Sequence, residues 1–410
     1  MKCRHCGAPL EKTFVDLGAS PPSNAYLTKE ALGSPEVWYP LRVLVCTGCW
    51  LVQTEDHAGR EELFASDYAY FSSTSAGWLA HSKAYVEAMT ERFGLGSGSM
   101  VVEVAANDGY LLQYVKAAGI PCYGVEPTAS TAAAAREKGI DIVGRFFGVE
   151  LASELAASGR QADLTAANNV LAHVPDINDF VSGFARLLKP KGVSTFEFPH
   201  LLNLVRQNQF DTIYHEHYSY LSLASVARIF AANGLAVFDV EELPTHGGSL
   251  RVYAQRSGTG VHTRTERLSA LEKLEADAGI ESLAFYEGFQ ARAEKVKDDF
   301  VAFLIDAKRR GLKVGAYGAA AKGNTLMNFA GIRPDLIPYV VDRAAAKQGK
   351  YMPGSRVPIV GEAHLEADRP DIIVILPWNI SEEVMRQLDH ARGWGAKFVT
   401  AVPELTMKSI

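Results

Sequence analysis

The stretch Ile213-Tyr-His-Glu-His-Tyr218 sets two imidazoles, a carboxylate and two phenols within six consecutive residues. Such a group can take a proton from carbon and donate a hydrogen bond to the oxygen on which charge then builds, which is what a carbon nucleophile requires. An imidazole of unperturbed pKa about 6.5 is a suitable base at neutral pH. Binding of a metal is the rival reading. Histidines at i and i+2 share a face only on a strand, and no HExxH is present. A strand would also point His215 and His217 the same way, so spacing alone does not choose between them.

A second constellation lies at the N-terminus. Cys3-Arg-His-Cys6 and Cys46-Thr-Gly-Cys49 are separated by 39 residues, so two knuckles can offer four thiolates to one tetrahedral Zn²⁺. Four sulfur ligands leave no place for a reactive water, so the zinc is expected to be structural. A redox CxxC would account for either pair but not for both, and His5 suits a soft, closed site less well than a thiolate. Cys122 reads as a buried strand residue.

Around these sites, 410 residues with 48% apolar and 21% charged content are enough for two or three globular domains. The net charge of -6 argues against a nucleic-acid surface. No run of 18 apolar residues occurs, so neither a membrane span nor a signal peptide is expected, and CxxC pairs of metal spacing fit a reduced, cytoplasmic setting.

From 100 to 256 the pattern alternates strand and helix: strands at 100–105, 122–126, 140–143, 163–168 and 193–198, then a helix at 221–233 and a closing pair at 237–241 and 250–254. The expected fold is α/β, a doubly wound parallel sheet whose ligand sits beyond the strand carboxyl ends. The first turn, Glu103-Val-Ala105-Ala-Asn107-Asp108-Gly109, has one glycine where a dinucleotide fingerprint has three. S-adenosylmethionine, which lacks a pyrophosphate, suits it better, with NAD or a merely structural turn still open. Glu126, followed by Pro127, ends the second strand and can grip ribose hydroxyls. Arg145-Phe146-Phe147 either covers an adenine or belongs to the core. Asn168, Asn169, His173 and His200 end the next strands and face the same crevice.

From 266 to 310 the composition turns to Glu, Lys, Ala and Leu at helical spacing, with charges on a solvated face. A second strand-turn-helix follows at 313–317, with Gly318-Ala-Ala-Ala-Lys322-Gly323-Asn324-Thr325, then strands at 337–341 (ending in Asp342), 372–376 and 398–401. Lys322 at a helix start can hold a diphosphate. An NAD site or a structural lobe is the alternative.

The tandem CxxC module, the Asn107-Asp-Gly109 turn, Tyr214-His-Glu-His217, His246-Gly-Gly-Ser-Leu-Arg251 and Gly318-Ala-Ala-Ala-Lys-Gly323 together resemble the zinc-containing sugar C-methyltransferases over almost the whole chain. The resemblance implies S-adenosylmethionine, structural Zn²⁺ and a nucleotide-linked 4-ketosugar. It implies a zinc module at 1–66, a class I methyltransferase domain at 67–260, and a helical linker with a smaller Rossmann-like substrate domain at 261–410. It also implies His217 as base, Glu216 as its orienting neighbour, Tyr214 as donor to the substrate, and His173 and Tyr68 beside them. Tyr70, His246, Tyr317, Gly318, Lys322, Asn324 and Asp342 are then expected along the substrate. The protein is expected as a monomer or small homo-oligomer. Two other readings are an NAD-dependent oxidoreductase working through the C-terminal lobe and a non-catalytic zinc-bearing interaction protein. Intact Asp108, Glu126 and His217 speak against the latter.

Overall fold

The computed structural model describes residues 1–57 and 71–408. Near the N-terminus, β1 (Lys12–Ser20) and β2 (Tyr39–Val45) pair antiparallel, and β3 (Val52–Thr54) joins β2. The two cysteine pairs lie before β1 and between β2 and β3. Val15 and Val43 are fully buried on the face of this sheet that receives the helix Phe289–Arg309. That helix buries Phe289, Ala293, Val296, Phe300, Leu304 and Ala307 at helical spacing, and Phe289 stacks on Phe14 at 4.5 Å.

The middle of the chain builds β4 (Val101–Val104), β5 (Cys122–Val125), β6 (Ile142–Val143), β7 (Ala162–Asn168) and β8 (Leu188–Pro199). The two-residue strand β9 (Ser219–Tyr220) then leaves this sheet to pair with β3. The chain returns as β10 (Leu235–Leu243) and β11 (Ser249–Arg256). The order is β10-β11-β8-β7-β4-β5-β6, with β4 to β8 parallel and β11 antiparallel to both its neighbours. Strands such as β4 are buried along their whole length, as expected where helices cover both faces. Strand order reverses between β4 and β7, which opens a crevice at their carboxyl ends.

A third sheet contains β12 (Val314–Tyr317), β13 (Val340–Val341), β14 (Ile359–Val360), β15 (Ile372–Ile375), β16 (Lys397–Thr400) and β17 (Thr406–Lys408). Its order is β14-β13-β12-β15-β16-β17, parallel except for β17. The direction reverses again, between β12 and β15. Both switch points open onto one space. Among the described residues no helix is long and apolar enough to cross a membrane.

Three features depart from the sequence reading. The helix Ala76–Phe93, capped by Ser75 Oγ accepting from Trp78 N at 3.2 Å, was not anticipated. The linker charges are not all solvated, since Glu275 is buried and pairs with His200 at 2.6 Å. Residues 213–218 form a turn, not a strand.

Candidate active site

A cavity of about 490 Å³ lies where the two switch points face each other, within the size range of small-molecule sites. Its floor is the carboxyl edge of the central sheet: Val104, Ala105 and Asn107 after β4, Glu126, Pro127 and Thr128 after β5, and Asn168, Asn169 and Val170 after β7. Ala105, Asn107, Asn169 and His246, all lining it, have φ of 61°, 49°, 53° and 56°. Left-handed backbone at non-glycine residues is uncommon, and its gathering here marks a functional site. Glu126 is buried, its two oxygens accepting from Asn107 N and Thr128 N at 2.9 Å each. Each oxygen keeps a lone pair for another donor, such as a ribose hydroxyl. Asn168 Oδ1 and Asn169 Oδ1 are buried without a protein partner and suit a ligand's amino or hydroxyl groups. Phe146 and Phe147 line the same end, Phe147 also packing on Phe184 at 4.8 Å.

The opposite wall carries the histidines. In the turn at 213–218, His217 N donates to Tyr214 O at 2.9 Å, so His215 and His217 point apart. His215 Nε2 reaches the carbonyls of Tyr39 and Pro40 at 3.3 and 3.2 Å, whereas His217 lines the cavity. His217 Nδ1 sits 3.0 Å from Thr212 O. A carbonyl can only accept, so Nδ1 carries the proton and Nε2 the lone pair. The His173 and Tyr214 rings lie 4.6 and 4.0 Å from that of His217, and His173 Nδ1 donates to Glu216 O at 2.8 Å. Burial holds His217 well below the usual imidazole pKa, reinforced by His173, and brings His173 and His246 down to about 4. All three are neutral at pH 7. Glu216 is buried, accepts from Asn24 Nδ2 at 3.1 Å, and is pushed above the carboxylate range by burial. His246 accepts from Asn169 Nδ2 at 3.0 Å and stacks on Trp78 at 5.3 Å.

The C-terminal lobe closes the cavity with Ala320, Ala321, Lys322, Lys347, Pro377, Asn379 and Ile380. Lys322 Nζ donates to Asn379 Oδ1 at 2.6 Å and lies 4.8 Å from the Trp378 ring. Trp378 Nε1 donates to Asp211 Oδ2 at 2.8 Å, and Thr325 Oγ1 to Ile213 O at 2.8 Å, so this lobe grips the chain where it enters the turn at 213–218. Burial lowers the pKa of Lys322 and Lys347 and raises that of Asp211 to about 6.

The four Sγ atoms of Cys3, Cys6, Cys46 and Cys49 lie within 4.8 Å of one another, with Cys3–Cys49 at 3.5 Å and Cys6–Cys46 at 3.6 Å. Thiolates bound about 2.3 Å from a tetrahedral Zn²⁺ stand about 3.8 Å apart, so the set fits that ion.

Three family models match the chain: a zinc binding domain over residues 3–64, a methyltransferase domain over 78–240 and a C-methyltransferase C-terminal domain over 244–403. The C-methyltransferase NovU of Streptomyces niveus is 32% identical over 98% of this chain and 96% of its own. The chain belongs to the C-methyltransferase family. The ubiquinone biosynthesis O-methyltransferase of Rhizobium rhizogenes is 25% identical over 52% of the chain and 74% of its own length. The solved magnesium protoporphyrin IX methyltransferase of Synechocystis, with bound S-adenosylmethionine, aligns at 18% identity over 44% of this chain and 80% of its own, with a TM-score of 0.35.

This C-methyltransferase thus uses S-adenosylmethionine, carries a four-cysteine zinc cluster and has the α/β architecture expected. Several expected site residues lie elsewhere. Glu103 is fully buried beneath the floor, and burial raises its carboxyl pKa. Asp108 accepts from Ser73 N at 3.3 Å, lies 3.4 Å from Lys138 Nζ and does not line the cavity. Gly109 packs against Ala135 of the helix Ala129–Glu137 and against Ile140, where a Cβ would come 2.4 Å from Ile140 Cδ1. Arg145 pairs with Glu154 at 2.5 Å on the surface. Tyr317 bonds Glu362 and Gln387, Gly318 abuts Pro377, and Asn324 is buried within its helix. Asp342 accepts from Ala319 N and Ala344 N at 2.8 Å each, holding the lobe's own turns. Tyr68 and Tyr70 lie outside the described residues. Sequence reasoning missed Asn24, Trp78, Lys347 and Asn379. Only the Ser75-x-x-Trp78 cap spacing signalled one of them.

Proposed function

We propose that this C-methyltransferase acts on a nucleotide-linked 4-keto deoxysugar and methylates a carbon next to the ketone through an enolate. The observation that carries the reading is one cavity joining the Glu126 edge, a neutral His217 with its lone pair on Nε2, and the half-buried Lys322 and Lys347 of the C-terminal lobe. When bound, S-adenosylmethionine supplies an electrophilic methyl group. Glu126, Asn168 and Asn169 would hold it at the sheet edge. His217 Nε2 takes the proton from the carbon beside the ketone while Thr212 O keeps the ring in the required tautomer. Tyr214 donates toward the oxygen that becomes the enolate, and His173 packs against the base. Glu216, through its backbone carbonyl, orients His173. Lys322 and Lys347, both half-buried on the cavity wall, offer donors to the diphosphate beside the N-terminus of the helix Ala321–Phe329.

The test uses S-adenosylmethionine with a panel of dTDP-, GDP- and UDP-linked 4-ketosugars, read by mass for one added methyl group, then exchange in D₂O without donor. Wild type should wash deuterium into the carbon that is methylated. His217→Asn should bind donor and sugar normally, lose that exchange and turn over about 10²–10⁴-fold more slowly. Equal exchange in both proteins would assign the base elsewhere.

A further inference from the structure

We propose that Arg4, inside the first zinc knuckle, is a positioning residue for His217. This inference rests on His217 being the base. The Arg4 side chain is only 5% exposed although it leaves a metal-binding loop. Its fork donates to two carbonyls on different elements: Nη2 to Thr54 O at 2.9 Å and Nη1 to Pro175 O at 3.2 Å. The guanidinium carbon lies 5.3 Å from the centre of the Tyr218 ring, and Nη2 also meets Asp56 at 2.9 Å.

Each contact leads to the site. Thr54 Oγ1 donates to His217 O at 3.0 Å, and Thr54 N donates to Tyr218 O at 3.2 Å. Pro175 lines the cavity two residues beyond His173. Tyr218 follows His217 and donates from its N to Ala172 O at 2.8 Å. The other end of Arg4 is fixed at the metal. Its backbone N donates at 2.9 Å to Gln53 Oε1, and Gln53 Nε2 points at Cys3 Sγ at 3.3 Å. The next knuckle residue repeats the link, His5 Nδ1 standing 2.8 Å from Asn178 Oδ1 beyond the same loop.

Zinc bound by Cys3 and Cys6 fixes the Arg4 backbone, and the planar fork then holds Thr54 and the loop at 173–178 at a set separation. His217 is clamped from its own carbonyl by one of these and faces His173 on the other. A lysine offers a single point charge and cannot address both carbonyls, so Arg→Lys is not conservative here. Displacement of a base by about 1 Å costs on the order of 100-fold in rate.

The experiment uses the full, zinc-loaded chain labelled with ¹⁵N at histidine, as wild type, Arg4→Met, Arg4→Lys and Thr54→Val. Thr54→Val loosens the His217 clamp without touching the knuckle. Zinc per chain and the affinity for S-adenosylhomocysteine should stay at wild-type values in all three. The His217 ring resonances should shift or broaden in each variant. Turnover on a dTDP-linked 4-ketosugar at saturation should fall about 10- to 100-fold with unchanged donor KM. Unchanged His217 resonances in Arg4→Met, or loss of zinc from it with Thr54→Val unaffected, would overturn the proposal. His217→Asn run in parallel separates the two readings: full turnover in it removes the base assignment, whereas an inactive His217→Asn beside a normal Arg4→Met removes only this inference.

Discussion

Glu126 and Asp108 are both buried acids at the carboxyl edge of one sheet, and of the two only Glu126 lines the cavity. Glu126→Ala should therefore weaken binding of S-adenosylhomocysteine by about 1.5–3 kcal/mol, the worth of a charge-assisted hydrogen bond, as read by calorimetry. Asp108→Ala should leave that affinity unchanged and lower the melting temperature, because its carboxylate ties Lys138 to the Ser73 backbone. The distinction was not legible in Asn107-Asp108-Gly109, since an acid in a turn reads the same whichever way it points. What holds Asp108 is Lys138, far along the chain, whose Nζ stands 3.4 Å from Asp108 Oδ2. The histidines make a pH prediction. His173 and His246 fall to about 4 and His217 moves the same way, against about 6.5 unfolded. Below 6.5 the unfolded chain takes up protons that the folded site refuses. Stability present above 6.5 is therefore lost as pH falls toward 4, at up to about 1.4 kcal/mol per unit for each histidine. Denaturant melts at stepped pH should show this slope, and His173→Asn should make it shallower.

At the scale of elements, β4, β5, β7, β8, β12 and β15 were readable because each is a short apolar run bounded by turn residues. The turn at 213–218 was not. Its His-x-His alternation imitates a strand, and it bends because Thr54, Thr325 and Tyr39, from three distant elements, occupy its backbone and side-chain groups. Pairing of β3 with β9 fixes where the turn must end. The short strands β3 and β9 carry no periodicity of their own; β3 forms against β2, and β9 forms against β3. The knuckles, in contrast, were plain from spacing, since four thiolates at one point admit few other uses. Cys46→Ser should lower bound zinc and thermal stability together, because metal-binding energy is folding energy in such a module. Metal analysis alongside calorimetric melting checks this, and full stability without metal would contradict it.

On the scale of the molecule, the two parallel sheets meet carboxyl edge to carboxyl edge, and the cavity has walls from all three parts of the chain. The contact is close at Gly247, where an added Cβ would stand 2.5 Å from Trp378 Cη2 on a backbone of φ 91°. Gly247→Ala should push Trp378 and the neighbouring Lys322 outward, raising the KM for the sugar nucleotide severalfold while donor affinity holds; steady-state kinetics with each substrate varied in turn would show it. The grip of Trp378 on Asp211 and of Thr325 on the Ile213 carbonyl also bears on how such proteins can be recombined. A chimera that takes its C-terminal lobe from a relative splits these pairs if the junction falls after residue 260, even though that point lies in an exposed linker. A donor lobe transplanted together with its own 209–217 segment keeps the matched surfaces, so functional crossovers in this architecture follow the contact rather than the linker.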